Sequence, residues 1–556
     1  RLYAKHLANK VFALDPEAKT PAHTQCDGVD YVPTRPIVLF GHHYASITGL
    51  APMLGPAVAV IWGWLPAFLW VVLGAIFIGC VHDFSALVLS ARGKGFSVGK
   101  LAEGIIGKRA MPLFHAIIFF GVSLAMGVFV FVIAKLFNVW IAPPNPSTGF
   151  AGIPGYPEAV LPSALLMVVA MISGFLMVRR GVRLMPVIAV GFGVQLIAVW
   201  LGLEFRPSDG WPLTDAWVWI LLAYAFIASV LPVWALLQTR DFLNSLLLYL
   251  GLGLAFLGLL LTNPEFAAPA VVTNPEGAPP IFPFVFIIIA CGAASGFHGL
   301  VSSGTTAKQL DREPDARPIG YGGMIGESLL GLLAVLACTA GFSSVEAWHN
   351  HYASWNSAQG LATKIGAFIE GTVSFIVTLG IPHDLAAAFI AVVVVSFALT
   401  SLDSGTRLLR FNIEEIAASW RLPLLTNRFV ATGLACAAIG FFAFYTIDGK
   451  PAGLQLWALF GTTNQLLAAL TLSMATLYLR QRDKPTWFTG LPALYVLGIT
   501  LTAMMHNLIG YERGEKHLLL IVGSILFALA LWLTIEVGLA LKRNDKCASM
   551  SIALED

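Results

Sequence analysis

Charge is scarce in this chain. Of its 556 residues only 12% are Asp, Glu, Lys or Arg, while 57% are hydrophobic and the mean hydropathy is +0.78. A soluble domain carries about twice that share of charge. The net charge is +2, so there is no excess of either sign to hold a nucleic acid, and none is expected as a partner. Cysteine is scarce as well. Cys26, Cys80, Cys291, Cys338, Cys436 and Cys547 are scattered, with no CxxC pair and no HExxH stretch nearby. They read as packed free thiols, not as a disulfide framework or a zinc cage. No cofactor is expected. The ten-residue alternation of a membrane β-barrel is missing too. No signal peptide is expected. The chain opens on Arg1-Leu2-Tyr3, an amphipathic basic stretch without Met, and an earlier segment is expected before it.

What is present is apolar length. Stretches near 20 residues recur, each long enough to cross a bilayer as a helix. Fourteen spans are expected, near 37–62, 64–91, 112–139, 160–180, 185–204, 216–237, 242–262, 282–305, 323–342, 384–406, 428–447, 454–478, 488–509 and 518–541. The fold class is therefore all-α, a polytopic membrane protein. The apolar piece 366–380 ends at Gly380-Ile381-Pro382 and is read as an outer or re-entrant helix.

Lysine and arginine set the orientation. Most of the 33 basic residues fall in alternate loops: Arg1 to Arg35, Arg92 to Arg109, Arg179 to Arg183, Arg240, Lys308 to Arg317, Arg407 to Arg428, Arg480 to Lys484, and Lys542 to Lys546. The loops between them hold few, such as Arg206, Lys364 and Lys450. The rich side is cytoplasmic by the positive-inside rule. Both ends of the chain are then expected to be cytoplasmic. The alternation holds only if 366–380 does not cross.

The first span contains "FGHHYASITGLAPMLGP", with two histidines, three glycines and two prolines in an oily segment. The first span starts inside and the sixth outside, because five is odd. That is the layout of transporters built from inverted repeats, whose site lies where the leading helix of each half is broken. A break is expected at Thr48-Gly49-Leu50-Ala51-Pro52 in the first, and at Ala228-Ser229-Val230-Leu231-Pro232 in the sixth. Proline leaves carbonyls without helical partners, and in lipid something else must satisfy them. The expected division is a cytoplasmic segment 1–36, a first five-helix repeat 37–204, and a second, inverted repeat 216–406 with an outer segment 343–383. Four further helices follow over 428–541, then a cytoplasmic tail 542–556. The helices after the tenth offer a face for a homodimer, and lipid surrounds the rest.

Ionisable residues at membrane depth are functional candidates. Asp83 lies in "CVHDFSALVLS", on the same side as His42 and His43, and a His–Asp contact between the two helices would fix a tautomer or relay a proton. His42, His43, Asp83 and His298 are the residues that could converge on a metal, were there one. In "ACGAASGFHGLVSSGTT", Gly292 and Gly296 allow close helix approach. Ser302 and Ser303 facing unwound carbonyls of the first span would make a cation site of sodium type. Asp403 with Arg407 reads as an i, i+4 pair, and Asn464 and Gln465 as interhelical hydrogen-bonding groups. Thr48, Gly49, Ala51, Ser229, Val230, Ser295 and His298 are the candidate solute contacts. His42, His43, Asp83, Ser302 and Ser303 are the candidate ion-coupling groups.

The runs "DGVDYVPT", "FGHHYASITG", "CGAASGFHGLVSSGTT", "RPIGYGGMIGES", "TSLDSGTR" and "LWALFGTTNQLLAAL" resemble, in order from about Asp27 to Leu470, the carbon starvation protein A family of bacterial peptide and pyruvate transporters. The resemblance implies a five-plus-five inverted-repeat core (LeuT/APC-like) driven by an ion gradient. It places the family's Gly-His-His on Gly41, His42 and His43, its second-span aspartate on Asp83, and its Ser-Gly-Thr-Thr on Ser303 to Thr306. Two departures stand out. His82 precedes the aspartate where the family often has Gln, and the outer segment is shorter than in peptide-linked members. The expected function is a symporter, with protons favoured over sodium, for a short peptide or a 2-oxo acid such as pyruvate, and not an enzyme. A membrane-embedded metalloenzyme using His42, His43, Asp83 and His298 is the alternative.

Overall fold

A computed structural model of the chain describes residues 2–142, 153–204, 211–447 and 449–543. Arg1, Arg206, Lys546, Cys547 and the tail beyond Arg543 lie outside the described residues. An N-terminal segment, residues 2–35, lies across one end of a helical bundle. That end is the near face, and the other is the far face.

The bundle helices are α1 (Pro36–Ile47), α2 (Ala51–Ala59), α3 (Trp64–Arg92), α4 (Val98–Ile105), α5 (Ala110–Leu136), α6 (Val160–Arg179), α7 (Leu184–Glu204), α8 (Thr214–Val230), α9 (Leu237–Thr262), α10 (Ile281–Ile288), α11 (Ala290–Ala293), α12 (Gly296–Val301), α13 (Gly322–Ala340), α14 (Leu361–Val377), α15 (His383–Ser419), α16 (Arg428–Phe444), α17 (Ala452–Arg480), α18 (Trp487–Arg513) and α19 (His517–Lys542). Among the described residues nine helices are long and apolar enough to cross a bilayer, and the bent pair α1–α2 makes a tenth. The molecule is a multi-pass membrane protein. All fourteen expected spans have a helical counterpart. The 366–380 piece is α14, an amphipathic helix followed by a tight turn into α15.

The first rod is interrupted where expected. α1 begins at Pro36, a position where the missing N–H costs nothing. It ends at Ile47, and Thr48 leaves helical geometry at φ −79°, ψ 89°. α2 restarts at Ala51 with a 46° bend, carrying Pro52 in its first turn. The second interruption is not at Pro232. Residues 231–236 form the turn from α8 to α9 at the near face, where the Val233 N–H reaches the Val29 carbonyl at 2.9 Å. Pro232 stops a helix that has already ended, as prolines just past a C-terminus do. The second interrupted rod is α10–α11–α12, continued by a π-helical turn at Ser302–Thr306. Its gaps fall at Ile289 and at the extended pair Ala294–Ser295.

Small residues make that second interruption possible. A Cβ on Gly55 would sit 2.4 Å from the Ile288 carbonyl oxygen, and one on Gly296 would sit 2.3 Å from that of Asn464. Neither fits without moving backbone. Such contacts let α2 and α17 approach the open peptide groups of the second rod. α1 packs on α9, while α2 packs on α13 and α14. α5 is enclosed by α15, α16 and α17, and the α6–α7 hairpin lies at the periphery.

Candidate functional site

A cavity of about 1450 Å³ opens at the far face. Its mouth is formed by Gly277 to Pro280, Trp355 to Lys364 and the α18–α19 turn. Its floor reaches both interrupted rods: Ala51, Leu54 and Gly55 of α2, Ile288 before the first gap, Ala290 and Cys291 of α11, and Asn464 of α17. Phe129 and Trp457 supply aromatic walls. The cavity is larger than a site for one small solute needs and reads as a vestibule that narrows to the interrupted rods.

Hydroxyls and amides cluster at the two gaps. Thr48 is fully buried and its hydroxyl has no partner. Gly49 is wedged between Ser401 and Phe129, and a Cβ there would lie 2.7 Å from the Ser401 Oγ, which is also unpartnered. At the second gap Asn464 accepts from the Phe297 N–H at 2.8 Å and bonds Ser295. Gln465 donates to the Phe286 carbonyl at 2.7 Å. Both amides make the interhelical bonds expected of them, and Asn464 faces the cavity as well.

Beneath the cavity lie two buried histidine networks. In one, His42 Nδ1 is 2.6 Å from Asp241 of α9, and its Nε2 is 3.2 Å from the Gln309 amide. The neutral Nδ1–H tautomer satisfies both contacts, donating to the carboxylate and accepting from the amide. Arg240 binds the other Asp241 oxygen at 2.7 Å and also pairs with Asp403, which accepts from Tyr224. In the other network, Asp83 of α3 holds His82 at 2.8 Å and His298 of α12 at 3.0 Å. The far nitrogen of His298 lies 3.0 Å from Glu327 of α13, but off the hydrogen-bond direction, so both Glu327 oxygens lack a partner. Three helices, one of them the interrupted rod, thus meet at a single imidazole.

The sequence-selected residues divide accordingly. Thr48, Gly49, Ala51, Ser295 and His298 lie at the interruptions. Ser229 and Val230 do not: they end α8 at the near face, where Ser229 is 3.4 Å from Thr432. The expected contact of Asp83 with His42 or His43 is replaced by Asp83 with His82 and His298. His43 instead bonds Thr306 at 2.9 Å. Ser303 is committed to the Gly299 carbonyl and to the Val98 N–H, and Ser302 is buried without a partner, so the hydroxyl beside the first gap is Ser401. Asp403 pairs with Arg240 rather than Arg407, whose partner is Asp30. Among the described residues no group of three or more His, Cys, Asp and Glu is placed to hold a metal ion, and His42, His43, Asp83 and His298 are shared between separate contacts. Asp241 and Glu327 lie outside the set that the sequence singles out. Glu327 carried a signal, as a lone acid in "MIGESLL"; Arg240 and Asp241 fell at a span boundary and read as loop.

Comparison with known proteins gives concordant relatives. The family model described as carbon starvation protein CstA matches residues 1–353 and 342–503. A peptide transporter CstA of Campylobacter jejuni is 33% identical, covering 93% of this chain and 79% of that protein. The pyruvate/proton symporter BtsT of Escherichia coli is 32% identical, covering 91% and 79%. A crystal structure of the Eremococcus coleocola manganese transporter aligns with 93% of this chain and 99% of its own at 11% identity and a TM-score of 0.43, a likeness too loose to rest anything on.

Proposed function

Because the chain belongs to the carbon starvation protein CstA family, we propose that it imports a short peptide or a small carboxylate such as pyruvate in symport with protons. It is a transporter and not an enzyme. The observation that carries this reading is a cavity that opens at one face and ends at two interrupted helices. Alternating access needs such a site, closed on the opposite side.

The near face is cytoplasmic in this reading, since the basic residues gather there. The membrane is the inner membrane of a prokaryote. The packing also supports two inverted halves, divided otherwise than at 37–204 and 216–406. The first half is α1–α2, α3, α5, α8 and α9; the second is α10–α12, α13, α15, α16 and α17. Each begins with the interrupted rod. Each has a short amphipathic connector after its second member, α4 on the near face and α14 on the far face. The contacts mirror: α1 lies on α9 as α12 lies on α17, α2 on α13 as the Ser302–Thr306 turn on α3, and α5 on α17 as α15 on α9. The α6–α7 hairpin is an insertion in the first half.

Proton coupling is assigned to Asp83, His298 and Glu327. His42 and Asp241 have their hydrogen bonds satisfied, whereas both oxygens of Glu327 are unpartnered beside an imidazole. His298 can donate to both carboxylates only when doubly protonated. Gain or loss of one proton there changes how firmly α12 is tied to α3 and α13, and the interrupted rod is the element that must move. In liposomes, an imposed inward pH gradient is expected to drive uptake of pyruvate or dialanine. Asp83→Asn and Glu327→Gln are expected to reduce gradient-driven uptake by roughly tenfold or more while solute exchange persists. Full gradient-driven uptake in Asp83→Asn would remove the assignment.

A further inference from the structure

The far-face cavity has a charged wall that the coupling network does not use. Gly360, Leu361 and Lys364 line it, and these are the N-cap and first turn of α14. The first N–H groups of a helix have no partner within it and carry the positive end of its dipole. Helices favour Asp or Glu there, yet this first turn has no acidic residue and places Lys364 instead. Among the described residues no carboxylate pairs with the Lys364 ammonium. Withdrawal from water pushes it down to about 8, with no neighbouring charge to raise it again. At neutral pH it is still mostly protonated.

A half-buried cation set on the positive end of a helix, facing the cavity without a counter-ion, is an arrangement that a bound anion would complete. Asn356 and Gln359 add amides on the same stretch of wall. Glu515, the carboxylate that shares the cavity, sits next to Lys516 on the α18–α19 turn.

We propose that Lys364 and the N-terminus of α14 form a carboxylate-recognition site, which captures the carboxylate of the incoming solute before it reaches the interrupted rods. This rests on the transport reading above. It gives one chemical feature shared by pyruvate and a peptide C-terminus, and it predicts rejection of neutral analogues.

Two measurements on the full chain in liposomes test it. In the first, Lys364→Gln is expected to raise KM for pyruvate and dialanine uptake roughly tenfold or more, with kcat within about twofold of wild type, and Lys364→Arg to recover most of the affinity. Dialanine with an amidated C-terminus should compete poorly with wild type and no worse with Lys364→Gln. An unchanged KM in Lys364→Gln overturns the proposal. In the second, the wild-type protein is treated with a membrane-impermeant amine-acylating reagent and Lys364 modification is read by mass spectrometry. Millimolar pyruvate or dialanine should slow acylation of Lys364 several-fold, and the amidated dipeptide should not. Equal rates with and without both carboxylates overturn the proposal even if the variant fails to fold. Wild-type liposomes that take up neither solute would sink the transport reading instead, while protection of Lys364 would still uphold the carboxylate site.

Discussion

Asp30 shows how one side chain closes the near face. It sits in the N-terminal segment and binds Arg410 at 3.0 Å and also Arg407. Arg407 in turn donates to the Ala228 and Leu231 carbonyls at the end of α8. Burial by itself would raise the Asp30 carboxyl, but Arg407, Arg410 and Lys308 outweigh it and hold the group at about 2. A carboxyl lowered in the folded state stabilises it fully above the ordinary value near 4, and that contribution is lost as pH falls toward 2. Asp30→Asn is expected to lose about 2 kcal/mol at pH 7. Denaturant unfolding of both proteins at pH 7 and pH 3 checks this, since the gap should narrow at pH 3; a gap that stays constant would mean the charge is not what holds the segment. At this scale the sequence is informative about depth and silent about partners. Asp83 and His298 could be selected because lone ionisable groups in apolar runs are costly. That Asp83 meets His298, and His42 meets Asp241, depends on which helices touch across about 200 positions of chain. Lys364 read as a stray basic residue in a poor loop, because only the packed structure shows that it has no counter-charge.

Helices were legible almost throughout, since apolar length and the positive-inside alternation fix where a chain crosses. Interruptions were harder. Pro52 marks a true one because it opens α2 inside a continuous apolar run. Pro232 carries the same letter but follows a completed helix. The second rod breaks without any proline in its central stretch: Ala294 and Ser295 are extended between α11 and α12, and α17 supplies Asn464 to bond the freed N–H of Phe297. Gly296→Val is therefore expected to be severe. Its Cβ would lie 2.3 Å from the Asn464 carbonyl oxygen and 2.4 Å from the Leu467 side chain. A loss of about 2 kcal/mol or more in stability, or loss of folded material on size exclusion, is the expected reading. Unchanged stability would show that α17 and the second rod do not meet at this distance.

Over the whole molecule, the described residues leave the far face open and the near face shut. The N-terminal segment, the Arg92–Glu313 pair and the Asp30 cluster lie across the near end, and among the described residues the cavity mouth has no comparable cover. Two native thiols report on this. Cys291 lines the cavity, and Cys26 is exposed on the N-terminal segment. In intact cells an impermeant maleimide should modify Cys291 and spare Cys26, and in inverted vesicles the preference should reverse. Labelling of Cys26 from outside would invert the proposed orientation. The contact of Gly55 with the Ile288 carbonyl has a consequence of its own. Here the two broken rods meet with nothing longer than a hydrogen atom between them, so there is no flexible arm to take up slack. One rod cannot tilt toward its companion without pushing it. In the proposed coupling, a shift begun by a proton on one side passes directly to the cavity wall.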